Sequence, residues 1–528
     1  MIKRLSLLLL SVLLIAQACA CSGGGTTPSS TSAPGSQSTA QAPADAASPS
    51  QEVIPLTIFR AGSRPMNDQT EMVRQFIIDT IGVDMQLEQI AENANQQLAL
   101  RITSGDIPDM MMLTYDAYVE YAQDGAFYDI SSEVEAHSSL MEYVGDNWDK
   151  VKVDGAIYSV PNMLSVPTSY VTAIRQDWLD KLGLSSPKTL EEYTNVLRAF
   201  TNNDPDGNGK NDTYGVCSAG LKYLSPFLGA FGATADQFYF LNDDGTITTN
   251  AISEEYRQGL AYLRDIYAEG LVDPECFTAD TSQATEKWGR AQFGVWPGWW
   301  SHAGNAVLRS GFQELQPDAV VEIIFPPVGE NGQQGNLYAP PFDSVVALSH
   351  TLSPEKVDAA LRLLDYQTTT YGFYVVMWGL ENVGFEMNAN NEITWCYSMD
   401  GKDRLGNEVT DMEVYKLLYN EKLQRPVDSL GDDMASVLYG KATDIQFAST
   451  SRENIFAYTK TPEYVENNAE LERYFTENAI RFIMGDRNLD TEWEQYKDGY
   501  LSMGGEIVRQ SLLKAYNDKT GTSYTFKE

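Results

Sequence analysis

Residues 204–212 read Asp204-Pro205-Asp206-Gly207-Asn208-Gly209-Lys210-Asn211-Asp212, with oxygen-bearing side chains at alternate positions and two glycines that permit a tight wrap. That is the spacing by which a loop encloses calcium. Asp204, Asp206 and Asn208 would bind through side chains, Lys210 through its carbonyl, and Asp212 directly or through water. Gly215 stands where the closing bidentate glutamate of an EF-hand falls, so a full oxygen set needs another donor. The alternative is a polar turn that binds nothing. A second cluster is aromatic: Phe293-Gly294-Val295-Trp296-Pro297-Gly298-Trp299-Trp300-Ser301 holds three indoles within five residues, interrupted by Pro and Gly. Indole faces stack on the apolar faces of sugars, while nearby carboxylates and amides take the hydroxyls. Any one of these rings could be core, but all three are not expected to turn inward from a regular element.

Signatures of catalysis are absent. His137, His302 and His350 are isolated, no HExxH, GxSxG or phosphate loop occurs, and the cysteines lack zinc spacing. The many carboxylates leave a glycoside hydrolase open, because its acid and nucleophile need no sequence proximity.

The elements that must position these residues begin with an alternation. Val53 to Phe59 reads as a strand, and Asn67 or Asp68 can cap a helix with Met72, Val73, Phe76, Ile77 and Ile81 at helical spacing. Val83, Met85 and Leu87 alternate as a second strand, Asn93 to Ser104 is a second helix stopped at Gly105, and Asp109 to Leu113 is a short apolar third strand. Right-handed crossovers make the three strands parallel, so the loops after Phe59 and Leu113 leave the same edge, where open α/β sheets bind ligands. Those loops carry Ser63, Arg64, Tyr115 and Asp116.

The chain opens with Lys3 and Arg4, an apolar run from Leu5 to Ala16, and Ala18-Cys19-Ala20-Cys21. A charged start, a short apolar core and small residues before the cut describe a secretory signal, residues 1–20, too short to remain as a spanning helix. Cys21 after small residues resembles the lipidated cysteine of bacterial lipoproteins, with Cys19 as the alternative. Residues 22–51 are Ser, Thr, Gly, Ala, Pro and Gln with Asp45 as the single charge, a flexible stalk from Cys21 to about residue 52. The formal charge of −36 becomes −38 when Lys3 and Arg4 are removed, which argues against nucleic acid as a partner. Cys217, Cys276 and Cys396 allow at most one disulfide in the body, so the fold must rest on its core.

Several segments in order resemble the substrate-binding lipoproteins of ATP-binding-cassette importers, in the carbohydrate-binding group with type II periplasmic-binding-protein topology. They are Ser104-Gly105-Asp106-Ile107-Pro108-Asp109, Gly155 to Pro161, Arg175 to Gly183 and Thr189-Leu190-Glu191-Glu192-Tyr193, with Trp493 to Tyr516 resembling a terminal helix pair. The resemblance implies an α/β fold of two lobes, each a mainly parallel sheet flanked by helices, with a hinge and a central ligand cleft. Lobe one would comprise residues 53–165 and about 338–372, and lobe two about 166–337 and 373–528. It also implies Asn162 at the first crossing, Asp343 at the return, and a tryptophan among Trp296, Trp299 and Trp300 at a strand end of lobe two. A structural calcium ion is implied in the 204–212 loop. The expected role is a monomeric, lipid-anchored, non-enzymatic protein on the extracellular face of the membrane. It would deliver a sugar, as an oligosaccharide, to an ABC permease. A protein binding peptides or other solutes is the further alternative.

Overall fold

The computed structural model describes residues 52–164, 166, 168, 170–304, 312–388, 393–396, 413–420, 434–449 and 451–527. The signal, Cys19, Cys21 and the stalk lie outside these residues. The chain begins with β1 (Ile54–Ala61), α1 (Asp68–Ile81), β2 (Val83–Ile90), α2 (Ala94–Ser104) and β3 (Met110–Thr114), the alternation its periodicity predicts. Asn67 caps α1 in a reciprocal box with Thr70, and Gly82 ends it in the left-handed conformation that glycine adopts without strain. Beyond β3 the expected loop is instead a helix, α3 (Tyr115–Gln123), because the Thr114 hydroxyl caps it by accepting from the Ala117 N–H. Strand β4 (Ser159–Met163) closes the first pass.

After a crossing come β5 (Tyr170–Arg175), α4 (Leu190–Asn202), β6 (Tyr214–Val216), β7 (Phe293–Trp299) and β8 (Val321–Ile324). The box anticipated at Thr189 and Glu192 is formed, and Tyr193, Leu197 and Phe200 turn the buried face of α4 inward. The chain returns as β9 (Phe342–Leu348), α5 (Pro354–Thr368) and α6 (Thr370–Trp378). It ends with α7 (Met434–Ala448), α8 (Pro462–Met484), α9 (Leu489–Tyr500) and α10 (Glu506–Thr520), the last two being the expected terminal pair.

These strands fall into two sheets, ordered β2-β1-β3-β9-β4 and β8-β5-β7-β6. Each has one strand running against the others: β9 is antiparallel to β3 and β4, and β5 is antiparallel to β7 and β8. These two are the strands on which the chain arrives from the other lobe. A strand entering from the cleft starts where its neighbours end, so it must run the opposite way.

Each sheet has its own hydrophobic core. One gathers Ile58, Val73, Met110, Val346 and Leu361; the other gathers Val171, Trp178, Phe200, Val295 and Trp493. The sequence reading has the chain leave lobe one near residue 372, but Phe373, Val375, Tyr415 and Leu417 are still in the first core. Leu438, Phe475 and Leu512 belong to the second. Cys217 and Cys276 are buried free thiols. Among the described residues no helix is long and apolar enough to cross a membrane.

Candidate functional site between the sheet edges

The strand directions decide where a ligand can sit. β1, β3 and β4 end, and β9 begins, at one edge of the first sheet, as the register Ser344 to Thr114 and Phe342 to Met163 records. In the second sheet β7 ends where β5 begins, with Trp299 paired to Tyr170. The link from Met163 to Tyr170 is seven residue steps, at most about 25 Å. The two edges therefore come within about 25 Å of each other where the chain crosses. Ser63, Arg64, Asp116, Asp343 and Trp299, singled out from sequence, all lie along them.

On the lobe-two edge the aromatic rings form a connected wall. Tyr170 meets Trp299 edge-on at 5.6 Å and Tyr223 at 5.4 Å, and Tyr223 continues to His302 at 5.8 Å. Trp299 is half-buried, as is Trp300, which packs against the second core. Trp296 is not part of this wall. It is 2% exposed, 5.4 Å from Trp288, and covered by the stacked ring of His302 at 5.9 Å. Strand β7 is buried on both faces, so only its end can present a ring. Gly298 permits the closure: a Cβ there would stand 3.1 Å from His302 Nδ1 and 3.3 Å from Trp296 Nε1.

The Trp299 N–H donates to His302 Nδ1 at 3.2 Å, so this imidazole is neutral, and burial pushes its pKa down to about 4. The unfolded chain, with an ordinary value of 6.5, takes up the proton first. Stability is therefore complete above about pH 6.5 and falls as pH drops toward 4. Denaturant titrations at several pH values are expected to show that decline in the wild type and a flatter one in His302→Gln. Parallel curves would mean that His302 is hydrated.

The lobe-one edge is polar. Asp343 is exposed in a bulge at the start of β9. Burial pushes the Tyr170 phenol up to about 12, with Lys222 opposing and Tyr223, Asp236 and Asp343 reinforcing, so a lobe-one carboxylate acts on a lobe-two ring. Ser63 is exposed, and the Arg64 loop is fixed by reciprocal bonds with Gln89 at 2.7 and 3.0 Å. Arg64 pairs with Glu413 Oε2 at 3.0 Å. Asp116 is exposed and pairs with Lys460 at 2.6 Å.

Two expected ligand contacts are structural instead. Tyr115, 7% exposed at the first turn of α3, donates its hydroxyl to the Lys150 carbonyl at 2.8 Å and packs on Phe342 and Tyr458. Asn162, 2% exposed, donates to Ser344 Oγ at 3.3 Å and accepts from the Tyr419 N–H. It ties the end of β4 to β9 and to the 413–420 segment rather than facing the cleft. Sequence reasoning missed Tyr170, Tyr223, Lys460 and Tyr458. The Tyr458 hydroxyl bridges both backbone groups of Phe342, at 2.9 and 2.8 Å. It also missed Arg60, whose guanidinium holds the Glu413 and Val414 carbonyls at 2.7 and 2.6 Å. Tyr170 was legible as a strand start; the others depend on partners far away in the chain, from Tyr170 and His302 for Tyr223 to the 413–416 segment for Arg60.

The 204–212 loop joins α4 to β6, pinned by the Thr213 hydroxyl on the Phe200 carbonyl at 2.7 Å. Asn208 Nδ2 stands between Asp206 Oδ2 at 2.7 Å and Asp212 Oδ1 at 3.0 Å, an amide donor placed among carboxylates. The Lys210 N–H donates to Asn208 Oδ1 at 2.8 Å, and Asp204 Oδ1 is buried without a hydrogen-bond partner. Burial, with Asp204 and Asp212 close by, raises the Asp206 carboxyl despite the Asn208 N–H. Among the described residues no three His, Cys, Asp or Glu groups converge tightly enough to hold an ion as they stand. The donors are nevertheless of the right kind and order for a hard cation, and the crowded carboxylates and orphaned oxygen fit one. Gly215 supplies no ligand, since a Cβ there would fall 2.7 Å from Leu197.

The sequence model for the bacterial extracellular solute-binding proteins matches residues 71–375, more than half of the chain. The chain belongs to that family. This solute-binding protein is 26% identical over 273 residues to the fructooligosaccharide ABC transporter substrate-binding protein FusA of Streptococcus pneumoniae, covering 48% of this chain and 51% of that relative. It is 20% identical over 440 residues to the polygalacturonan/rhamnogalacturonan-binding protein YtcQ of Bacillus subtilis, covering 80% and 82%. Its fold matches that of S. pneumoniae FusA in complex with kestose, with TM-score 0.67, 19% identity and coverage of 89% and 100%. It matches an HMO-binding solute-binding protein of Bifidobacterium longum infantis with TM-score 0.69, 19% identity and coverage of 89% and 99%. These neighbours share the two-lobed periplasmic-binding-protein architecture.

Proposed function

We propose that this solute-binding protein captures an oligosaccharide between its sheet edges and delivers it to an ABC permease, without catalysing a reaction. The observation that carries the reading is the Tyr170–Trp299–Tyr223 wall facing the polar edge that bears Arg64, Asp116 and Asp343. Aromatic faces on one side and hydroxyl-seeking groups on the other suit a sugar, and a ligand touching both edges favours lobe closure. The sugar-binding relatives support it. Lobe one would comprise residues 53–165 and the stretch from about 338 to 418, and lobe two the remainder of the body. Calcium at Asp204, Asp206, Asn208, Lys210 and Asp212 would staple lobe two. Acylated Cys21 would hold the protein as a monomer on the outer face of the membrane.

The test is calorimetry against an oligosaccharide panel with product analysis. Saturable binding without turnover is expected; hydrolysis would make the protein a glycoside hydrolase, and neither would point to a non-sugar solute. In cells Cys21→Ala is expected to release the protein into the medium. Unchanged membrane retention would refute the anchor.

A further inference from the structure

Arg452 is a guanidinium that the cleft described above leaves over. It lies 4.2 Å over the Phe240 ring, and donates to the Gly232 carbonyl at 2.8 Å and to Asn242 Oδ1 at 3.2 Å. None of these partners is a carboxylate, in a chain with 73 acidic and 37 basic residues. Beside it is a cavity of about 20 Å³, lined in part by Thr234, Gln333, Asn336 and Arg452. Asn336 is 6% exposed, and neither its amide nitrogen nor its amide oxygen has a hydrogen-bond partner in the protein. Native proteins rarely bury an amide with both ends unsatisfied unless something else satisfies them. The cavity shares Phe240 and Arg452 with a larger one of about 320 Å³, whose other walls are Leu241, Glu453, Ile455 and Tyr516. That size falls at the small end of the range for ligand pockets.

We propose that the two cavities form one subsite for a uronate residue, so that this protein takes acidic oligosaccharides. The sugar ring occupies the larger cavity against Tyr516 and Phe240. Its carboxylate reaches Arg452 and the Asn336 amide N–H, and a ring hydroxyl donates to Asn336 Oδ1. A neutral sugar could satisfy Asn336 but would leave the guanidinium without a directly bonded carboxylate, since Glu255 acts on it only through its charge. The smaller cavity has room for about one water, so the carboxylate would enter it by a single oxygen while the rest of the group stays in the larger cavity. The inference rests on the sugar-binding reading, and deepens it by naming the substrate class.

The experiment is calorimetry on the mature chain with trigalacturonate and with galactotriose of the same linkage, which differ only in the carboxylates. Wild type is expected to bind trigalacturonate at least about tenfold more tightly, with the advantage shrinking as salt rises. Asn336→Asp, which sets a like charge in the cavity, and Arg452→Gln are each expected to weaken trigalacturonate binding about 10- to 100-fold. Galactotriose should change by less than about twofold. Melting temperatures check folding, and the wild-type comparison decides alone if a variant does not fold. Equal affinity for the two trisaccharides, or variants that leave trigalacturonate binding unchanged, would overturn the proposal and assign the cavity to an ordered water. Binding of neutral glycans alone overturns the acidic assignment and leaves the sugar reading intact, whereas a protein that binds no glycan loses both.

Discussion

Replacing Trp296 by alanine is expected to destabilise the protein by about 3–5 kcal/mol, while Trp299→Ala leaves it nearly as stable and weakens glycan binding by about 1–3 kcal/mol, roughly 5- to 150-fold. The residues are three apart in sequence but have different surroundings. Trp296 is enclosed by Trp288, Phe293 and His302, so truncation opens a cavity that close-packed neighbours cannot fill. Trp299 ends its strand half-buried against Tyr170, and truncation removes a stacking face while uncovering little core. Stabilities of about 5–15 kcal/mol are usual, so the first change takes a large part of the total. Denaturant unfolding and calorimetric affinity on the best glycan separate the two effects. If both variants unfold alike and Trp299→Ala binds normally when folded, the wall is core and the cleft lies elsewhere.

The same pair of residues shows what the sequence made legible. Helices and strands whose signals are local were readable: the Asn67 cap, the Thr189–Glu192 box and the alternation of Val83, Met85 and Leu87 each specify a conformation within a few residues. From those strands the shared edge beside which Ser63, Arg64 and Asp116 lie followed by chirality alone. Which tryptophan reaches that edge did not follow, because a strand covered on both faces has no exposed side for a period of two to reveal. Tyr115 was misplaced for a related reason, since the Thr114 cap turned an expected loop into a helix and drew the ring inward. The ties between distant segments of lobe one were illegible. Arg60 on the 413–416 carbonyls, and Tyr458 on Phe342, join residues 353 and 116 positions apart. No local pattern encodes such partners.

Asp116→Ala, on the opposite edge, removes a tie to the 458–464 segment as well as a polar group of the candidate cleft. Its carboxylate pairs with Lys460, and the Lys460 ammonium also lies 4.2 Å over the Tyr464 ring, which belongs to the second lobe's periphery. Loss of the carboxylate therefore removes a polar contact at the ligand edge and loosens the strap that carries Tyr458.

Removing calcium is expected to lower the stability of the wild type by about 3–4 kcal/mol when the ion had been present at 100 to 1,000 times its dissociation constant, and to leave an Asp204→Ala, Asp206→Ala double mutant almost unchanged. Without a cation the loop holds Asp206 and Asp212 on either side of the Asn208 amide, and burial first, then the neighbouring Asp204 and Asp212 carboxylates, raise the Asp206 carboxyl. Two neighbours already supply positive poles. The Lys181 ammonium donates to the Asp204 and Pro205 carbonyls at 3.3 and 2.9 Å, and the Gly209 N–H donates to Asp204 Oδ2 at 3.1 Å. Neither reaches the buried Asp204 Oδ1, which is the oxygen left for an ion. Binding requires ionised ligands, so calcium affinity falls on acidification. Melting curves with and without chelator, repeated from pH 7.5 down to about pH 5, give both effects. The calcium-dependent increment should shrink as pH falls, and equal chelator responses in wild type and double mutant would show that the loop is an empty turn. The increment belongs to lobe two, because the loop connects α4 to β6 beside the core that carries Trp296.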